Sequence, residues 1–318
     1  MRIVALWLLA TWCAECVWGG FTVAGYPVAV VFLGPLYGSV AVLIREVARR
    51  RGGGWPSMVL LAAAFGLVQA GLVDMALFDR EALAGTQFAE QGVAARATSV
   101  PVLGFSVEQL WDFVGNHVWL SVCAPIAVVE ACTRPEVRRA PWLSGSTAGL
   151  FVVSYVAGSL LIRSDMSFTP SPVQVVFVLV AVVVLVVAAV FWRPSPPRAV
   201  SGPGPLVLGG VVLSAQVGSW FFGTQWLGMG LRLVTLLLVV ALVVRWARSE
   251  AHVLAAWGAG LVAAAGGAFL SPPYDPAPVW LMVLSDVVGA VFVVALLGWG
   301  CHRLRGGRGP GPTSRATV

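Results

Sequence analysis

The sequence predicts an all-α fold, a polytopic helical membrane protein with about ten transmembrane helices and both termini in the cytoplasm. Three observations carry this reading. Hydrophobic residues make up 58% of the 318, mean hydropathy is +0.88 and charged residues are 11%, against about 25% in an ordinary soluble domain. Apolar runs of spanning length recur along the whole chain. The basic residues, all arginine, concentrate in the short gaps between those runs. So few charges could not cover a soluble globule of this length, and the same numbers exclude disordered, collagen-like and disulfide-scaffold classes.

The first run, 3–20, follows a single arginine. It lacks an Ala-x-Ala cleavage site and continues through Val17-Trp18-Gly19-Gly20, so a retained first helix is expected and not a signal peptide. The second, 27–44, ends at Arg45, Arg49, Arg50 and Arg51, and Gly52-Gly53-Gly54-Trp55-Pro56 supplies the turn into the third, 55–78. Residues 79–108 form the long outer loop, whose stretch from Arg80 to Arg96 suits an interfacial helix or a polar surface segment equally.

The fourth run, 109–129, carries a polar stripe and Pro125, which is expected to kink it. The fifth is 143–162. The sixth, 173–192, is uniformly Val-, Leu- and Ala-rich and is expected to face lipid. Arg193-Pro194-Ser195-Pro196-Pro197 separates it from the seventh, 205–222, and Gly223 to Gly228 separates that from the eighth, 229–247. The ninth, 252–270, is divided from the tenth, 279–300, by Ser271-Pro272-Pro273-Tyr274-Asp275-Pro276. Residues 1–301 read as one transmembrane domain, and 302–318, rich in Gly, Pro and Arg, as a disordered cytoplasmic tail.

Arginine distribution sets the expected orientation. With the N-terminus inside, sixteen of the twenty basic residues fall on the inner side, and the outer side holds Arg80, Arg96, Arg163 and Arg232. A multi-pass protein of a bacterial cell membrane is expected. The net charge of +6 does not indicate nucleic acid, because the arginines line no soluble face. Five cysteines in or beside apolar runs argue against a disulfide framework.

An ionisable residue at membrane depth costs at least about 2.5 kcal/mol, so it marks a functional candidate. The ionisable candidates are Glu15, Asp74, Asp112, His117, Arg232 and Asp286, all in outer halves of their helices, and Glu15, Asp74, Asp112, Asn116, His117 and Asp286 are expected to line an outward-facing polar cavity. Gln109, Asp112 and Asn116 stand at i, i+3 and i+7, one helix face. The plainer reading places Gln109 and Asp112 at headgroup level, with Asn116 bonding a neighbouring helix. Cys13-Ala14-Glu15-Cys16 has a metal-ligand spacing but needs two further ligands, and close helix packing explains it as well. Arg45, Arg49, Arg50 and Arg51 serve orientation or anionic lipid headgroups. No metal site and no cofactor are expected: there is no Walker loop, His-Glu-x-x-His, Gly-x-Ser-x-Gly or dinucleotide fingerprint.

Two stretches carry a resemblance. One runs from Gly34-Pro35-Leu36-Tyr37-Gly38 through Ile44-Arg45-Glu46-Val47-Ala48-Arg49-Arg50 to Gly54-Trp55-Pro56. The other runs from His117-Val118-Trp119-Leu120-Ser121 to Pro125-Ile126, Glu130 and Pro141-Trp142-Leu143. Together they resemble uncharacterised multi-pass membrane proteins of actinobacteria, over roughly the first half of the chain. A more distant similarity is to the CAAX-protease-like intramembrane family. That resemblance implies a Glu-Glu pair on one helix and histidines on others. Here the comparable helix reads Val68-Gln69-Ala70-Gly71-Leu72, so the acids are missing and only His117 matches a family histidine, a degenerate copy.

The expected function is of transport or permease type, acting on a small solute or proton, with the lipid bilayer and a membrane or ATPase subunit as partners. A degenerate membrane-embedded hydrolase and a non-catalytic assembly or signalling role stand as alternatives.

Overall fold

The computed structural model describes residues 1–192 and 202–306, and among these no strand forms beyond an isolated Ser99–Ser106 bridge. Ten helices follow the ten apolar runs: α1 (Arg2–Glu15), α2 (Tyr26–Arg51), α3 (Gly54–Val73), α4 (Val107–Cys132), α5 (Gly145–Asp165), α6 (Pro172–Phe191), α7 (Pro205–Phe222), α8 (Trp226–Trp246), α9 (Glu250–Ala268) and α10 (Val279–Gly306). The protein is an all-α polytopic membrane protein, and nine of these helices among the described residues are long and apolar enough to cross a bilayer.

The exception is α1. The apolar run was expected to stay helical to residue 20, but the helix stops at Glu15, and Gly19, at φ +90°, ends any continuation. The helix that results has 14 residues and sits in the middle of the bundle, with Leu6, Ala10 and Cys13 fully buried. Trp7 explains how it fits. A Cβ on Gly34 would lie 2.1 Å from the Trp7 ring and one on Gly38 2.6 Å away, so the two glycines of α2 make the slot for that indole. In a bilayer, helices gain little from burying apolar surface against one another, so close approach of this kind supplies much of the attraction.

Serines start several helices where the sequence places turns. Ser106, Ser144, Ser171 and Ser249 cap α4, α5, α6 and α9, and Ser171 completes a reciprocal capping box with Gln174. More than half of the apolar window of α2, α3 and α4 is buried, against 6% for α5 and 11% for α6, so the sixth helix does turn an apolar face outward. Only one side of α6 is covered, where Ser57 Oγ of α3 donates to the Ala189 carbonyl at 2.7 Å.

Helix direction alternates as expected for a bundle of spans. Arg2 of α1, Arg45 of α2, Glu130 of α4 and Glu250 of α9 gather at one end, linked through Trp142 and Arg139. Glu15, Asp74 and the α9–α10 loop lie at the other. The final helix runs to Gly306, beyond the expected boundary at 301. The Arg193–Pro197 turn, Arg198, Arg308 and Arg315 lie outside the described residues.

Candidate functional site

Three helices widen into π turns, and each turn carries a polar side chain of interest: Gly34–Gly38 carries Tyr37, Gln69–Val73 begins with Gln69, and His117–Cys123 begins with His117. Such turns leave the regular ladder and recur at functional sites. Here they adjoin. The His117 ring centroid is 5.7 Å from Tyr37 and 5.2 Å from Phe65, and Gly66 of α3 is small enough to let the His117 Cβ approach. The imidazole Nδ1 is 3.2 Å from Ser121 Oγ.

Tyr37 leads to the acids. Its hydroxyl addresses the Glu15 carboxylate at the end of α1. Tyr274 reaches the same carboxylate from the opposite loop, donating to Oε2 at 3.4 Å. The Tyr274 phenol lies outside the spans and is held well above the ordinary tyrosine range, first by burial and then by the charges of Glu15 and Asp74, so it remains the proton donor. Asp74 is close enough to Glu15 to interact electrostatically. It accepts from Gln69 Nε2 at 3.1 Å and from the Ala76 amide at 3.0 Å. The Gln69 side chain is buried and its Oε1 has no partner. Glu15 and Asp74 form no ion pair among the described residues. The cluster therefore presents two carboxylates and an orphaned amide oxygen, with hydroxyl and amide donors and no cation.

An aromatic cap closes this end. Tyr274 meets Trp18, Phe21 and Phe88 at ring distances of 5.2, 5.6 and 5.8 Å. Phe88 comes from the 79–108 loop, so that loop covers the acids.

The other candidates lie apart. Asp112 and Asn116 are on one face of α4 as the spacing predicts, but the face is exposed on the flank of the bundle, with the Asp112 side chain 54% exposed and 4.0 Å from Arg232 Nη1. Asp286 borders a cavity of about 10 Å³ with Gly19, Thr22 and Ser271. The six expected residues thus fall into three groups: Glu15, Asp74 and His117; Asp112 and Asn116; and Asp286. Cys13 and Cys16 are buried and free.

A second polar cluster occupies the opposite end. The side chain of Arg45 is fully buried, which takes it away from any lipid headgroup and corrects that expectation. Its Nε donates to Glu130 Oε1 at 3.0 Å, its Nη2 to the Arg138 carbonyl at 2.6 Å, and its guanidinium lies 3.4 Å from the Trp142 ring centroid. Arg49 makes a two-point contact with Glu130, its Nε at 2.9 Å and its Nη2 on Oε2, so it too is withdrawn from the surface. Glu46 accepts from Arg50 Nε and from the Trp142 amide, each at 2.7 Å. Arg50 is half-exposed and Arg51 exposed, so both can still reach headgroups. These are residues of the two resemblance stretches, brought together from positions 81 apart and more.

Sequence reasoning missed Tyr37, Gln69 and Tyr274 as parts of the acid cluster and Glu130 as the centre of the arginine cluster. Gly-Pro beside Tyr37 and the buried-run position of Gln69 were the available signals. A scan of protein-family models, a search of curated proteins and a search of solved structures found no match to the chain.

Proposed function

We propose that the protein is of membrane transport type and that the Glu15–Asp74 cluster holds a proton or small cation in passage. The observation carrying this reading is the charge imbalance among the described residues. Two carboxylates and the unpartnered Gln69 Oε1 converge within the bundle, and no arginine pairs with either acid. Every other feature nearby supplies acceptors or neutral donors, so the missing positive charge is left to a mobile species. Tyr37 of α2 and His117 of α4 extend the polar line from Glu15, and the Trp18–Phe21–Phe88–Tyr274 cap shuts the opposite side. A membrane or ATPase partner subunit would dock on this scaffold and is not needed for the cluster itself.

The test is flux in proteoliposomes carrying a trapped pH dye, with and without a monovalent cation gradient. Wild type should dissipate the gradient, and Glu15→Gln with Asp74→Asn should slow it at least about tenfold. Equal rates in wild type and the double variant would remove the reading.

A membrane-embedded hydrolase of CAAX-protease-like descent is supported by one observation: the His117 Cβ packs against Gly66 of α3, one turn before Gln69 and Ala70, on the helix that resemblance compares. Prenyl-peptide or lipid hydrolysis by the purified chain that disappears in His117→Ala would favour it over transport. No turnover, or turnover indifferent to His117, counts against it.

A further inference from the structure

The flank between α4 and α8 contains a set of charges that the acid cluster does not use. Glu108 is the second residue of α4, 8% exposed, and its Oε2 has no partner. Asp112 follows one turn later, and Glu108 interacts electrostatically with both Asp112 and Arg232. Arg232 projects from α8. Its Nε is buried without a partner, and its Nη1 stands 4.0 Å from Asp112 Oδ1, too long for a hydrogen bond. Two acids and one guanidinium therefore face each other across a gap, each acid and the arginine with unused capacity. A closed ion triad would have taken up those atoms.

Surroundings indicate what fills the gap. Asp112, Gly115 and Asn116 are exposed along α4, while α8 exposes Leu231, Leu233 and Leu236 to either side of Arg232. The polar seam thus opens sideways onto an apolar wall of the kind that meets acyl chains. Arg232 lies about 9 Å along α8 from its first residue and Asp112 about 7 Å along α4, taking 1.5 Å per residue. That depth matches the boundary between headgroups and acyl chains. The charge pattern is bipolar. The guanidinium suits a phosphate oxygen, and the two carboxylates suit an ammonium that can donate hydrogen bonds.

We propose that the seam formed by Glu108, Asp112 and Arg232 binds a phosphoethanolamine headgroup, with its phosphate on Arg232 and its primary ammonium between the two carboxylates. The occupant is a membrane lipid, because the seam is open to the apolar flank. The same chemistry in a soluble zwitterion is the competing source. A trimethylated headgroup keeps the charge but loses the donor hydrogens, and an anionic headgroup lacks the ammonium.

The experiment uses the full chain purified in detergent, with thermal melting and native mass spectrometry after addition of phosphatidylethanolamine, phosphatidylcholine, phosphatidylglycerol or free O-phosphoethanolamine. Phosphatidylethanolamine should raise the melting temperature and be retained at least about tenfold more than the other two lipids. Arg232→Gln and Asp112→Asn should each abolish that preference, and the Asp112→Asn variant, whose side chain is largely exposed, should melt like wild type without lipid. Equal retention of all three lipids would overturn the proposal. So would a preference that survives both variants. Protection by free O-phosphoethanolamine without lipid retention would overturn the lipid assignment. Should Arg232→Gln fail to fold, Asp112→Asn alone decides.

Discussion

The middle and the C-terminal end of α2 solve opposite problems with the same helix. At Arg45, Glu46, Arg49 and Arg50 the chain buries charges of both signs, and Glu130 and Glu46 answer the guanidinium groups with hydrogen bonds of 2.7–3.0 Å. About 12 Å back along the helix, Tyr37 stands in a cluster where, among the described residues, Glu15 and Asp74 meet hydroxyls and an amide but no cation. Burying an ion costs several kcal/mol unless partners repay it. The first cluster is repaid internally and holds the helix ends together. The second leaves two carboxylates without a cation among the described residues, the pattern that makes it a candidate site.

Breaking the balanced end should give the largest loss of stability. Glu130→Ala strips Arg45 and Arg49 of their shared acceptor and leaves a fully buried guanidinium uncompensated, which should cost about 3–5 kcal/mol in denaturant unfolding in detergent. Arg45→Met combined with Glu130→Leu should cost less than Glu130→Ala alone, because no orphaned charge remains. Next comes Trp142→Leu, which removes the ring 3.4 Å from the Arg45 guanidinium while keeping the backbone amide that Glu46 uses. About 2 kcal/mol is expected from a desolvated contact of this kind, read by the same unfolding curves. Smallest is Arg139→Gln. Arg139 pairs with Glu250, but its side chain is 72% exposed, so the change should stay below about 1 kcal/mol and shrink further when unfolding is repeated in high salt.

Most of the architecture was legible because hydropathy averages over whole helices. Local errors are small in such a sum, and all ten apolar runs became helices. The end of α1 was not legible, because Val17 and Trp18 keep the run apolar while Gly19 at φ +90° and the Trp18 indole bond to the Ala14 carbonyl turn the chain. Helical spacing correctly put Asp112 and Asn116 on one face, yet periodicity is blind to where a face points, and this one points outward. Tyr37 looked apolar within an apolar run. Its partner Glu15 lies on a different helix, and Glu130 lies 85 residues from Arg45, so neither cluster leaves a local signature. The arginines at the end of α2 show the same blindness: a charge near a helix end reads as orientation whether it reaches water or, like Arg45, is sealed against an acid.

The difference between the two clusters is most directly tested by neutralising each in turn and measuring thermal unfolding in the same detergent. Glu15→Gln with Asp74→Asn should unfold at or slightly above the wild-type temperature, because amides end an uncompensated charge, while Glu130→Gln should unfold far below it. A double variant that falls as far as Glu130→Gln would contradict the account, since the acids at Tyr37 would then be held by structural partners just as the arginines are.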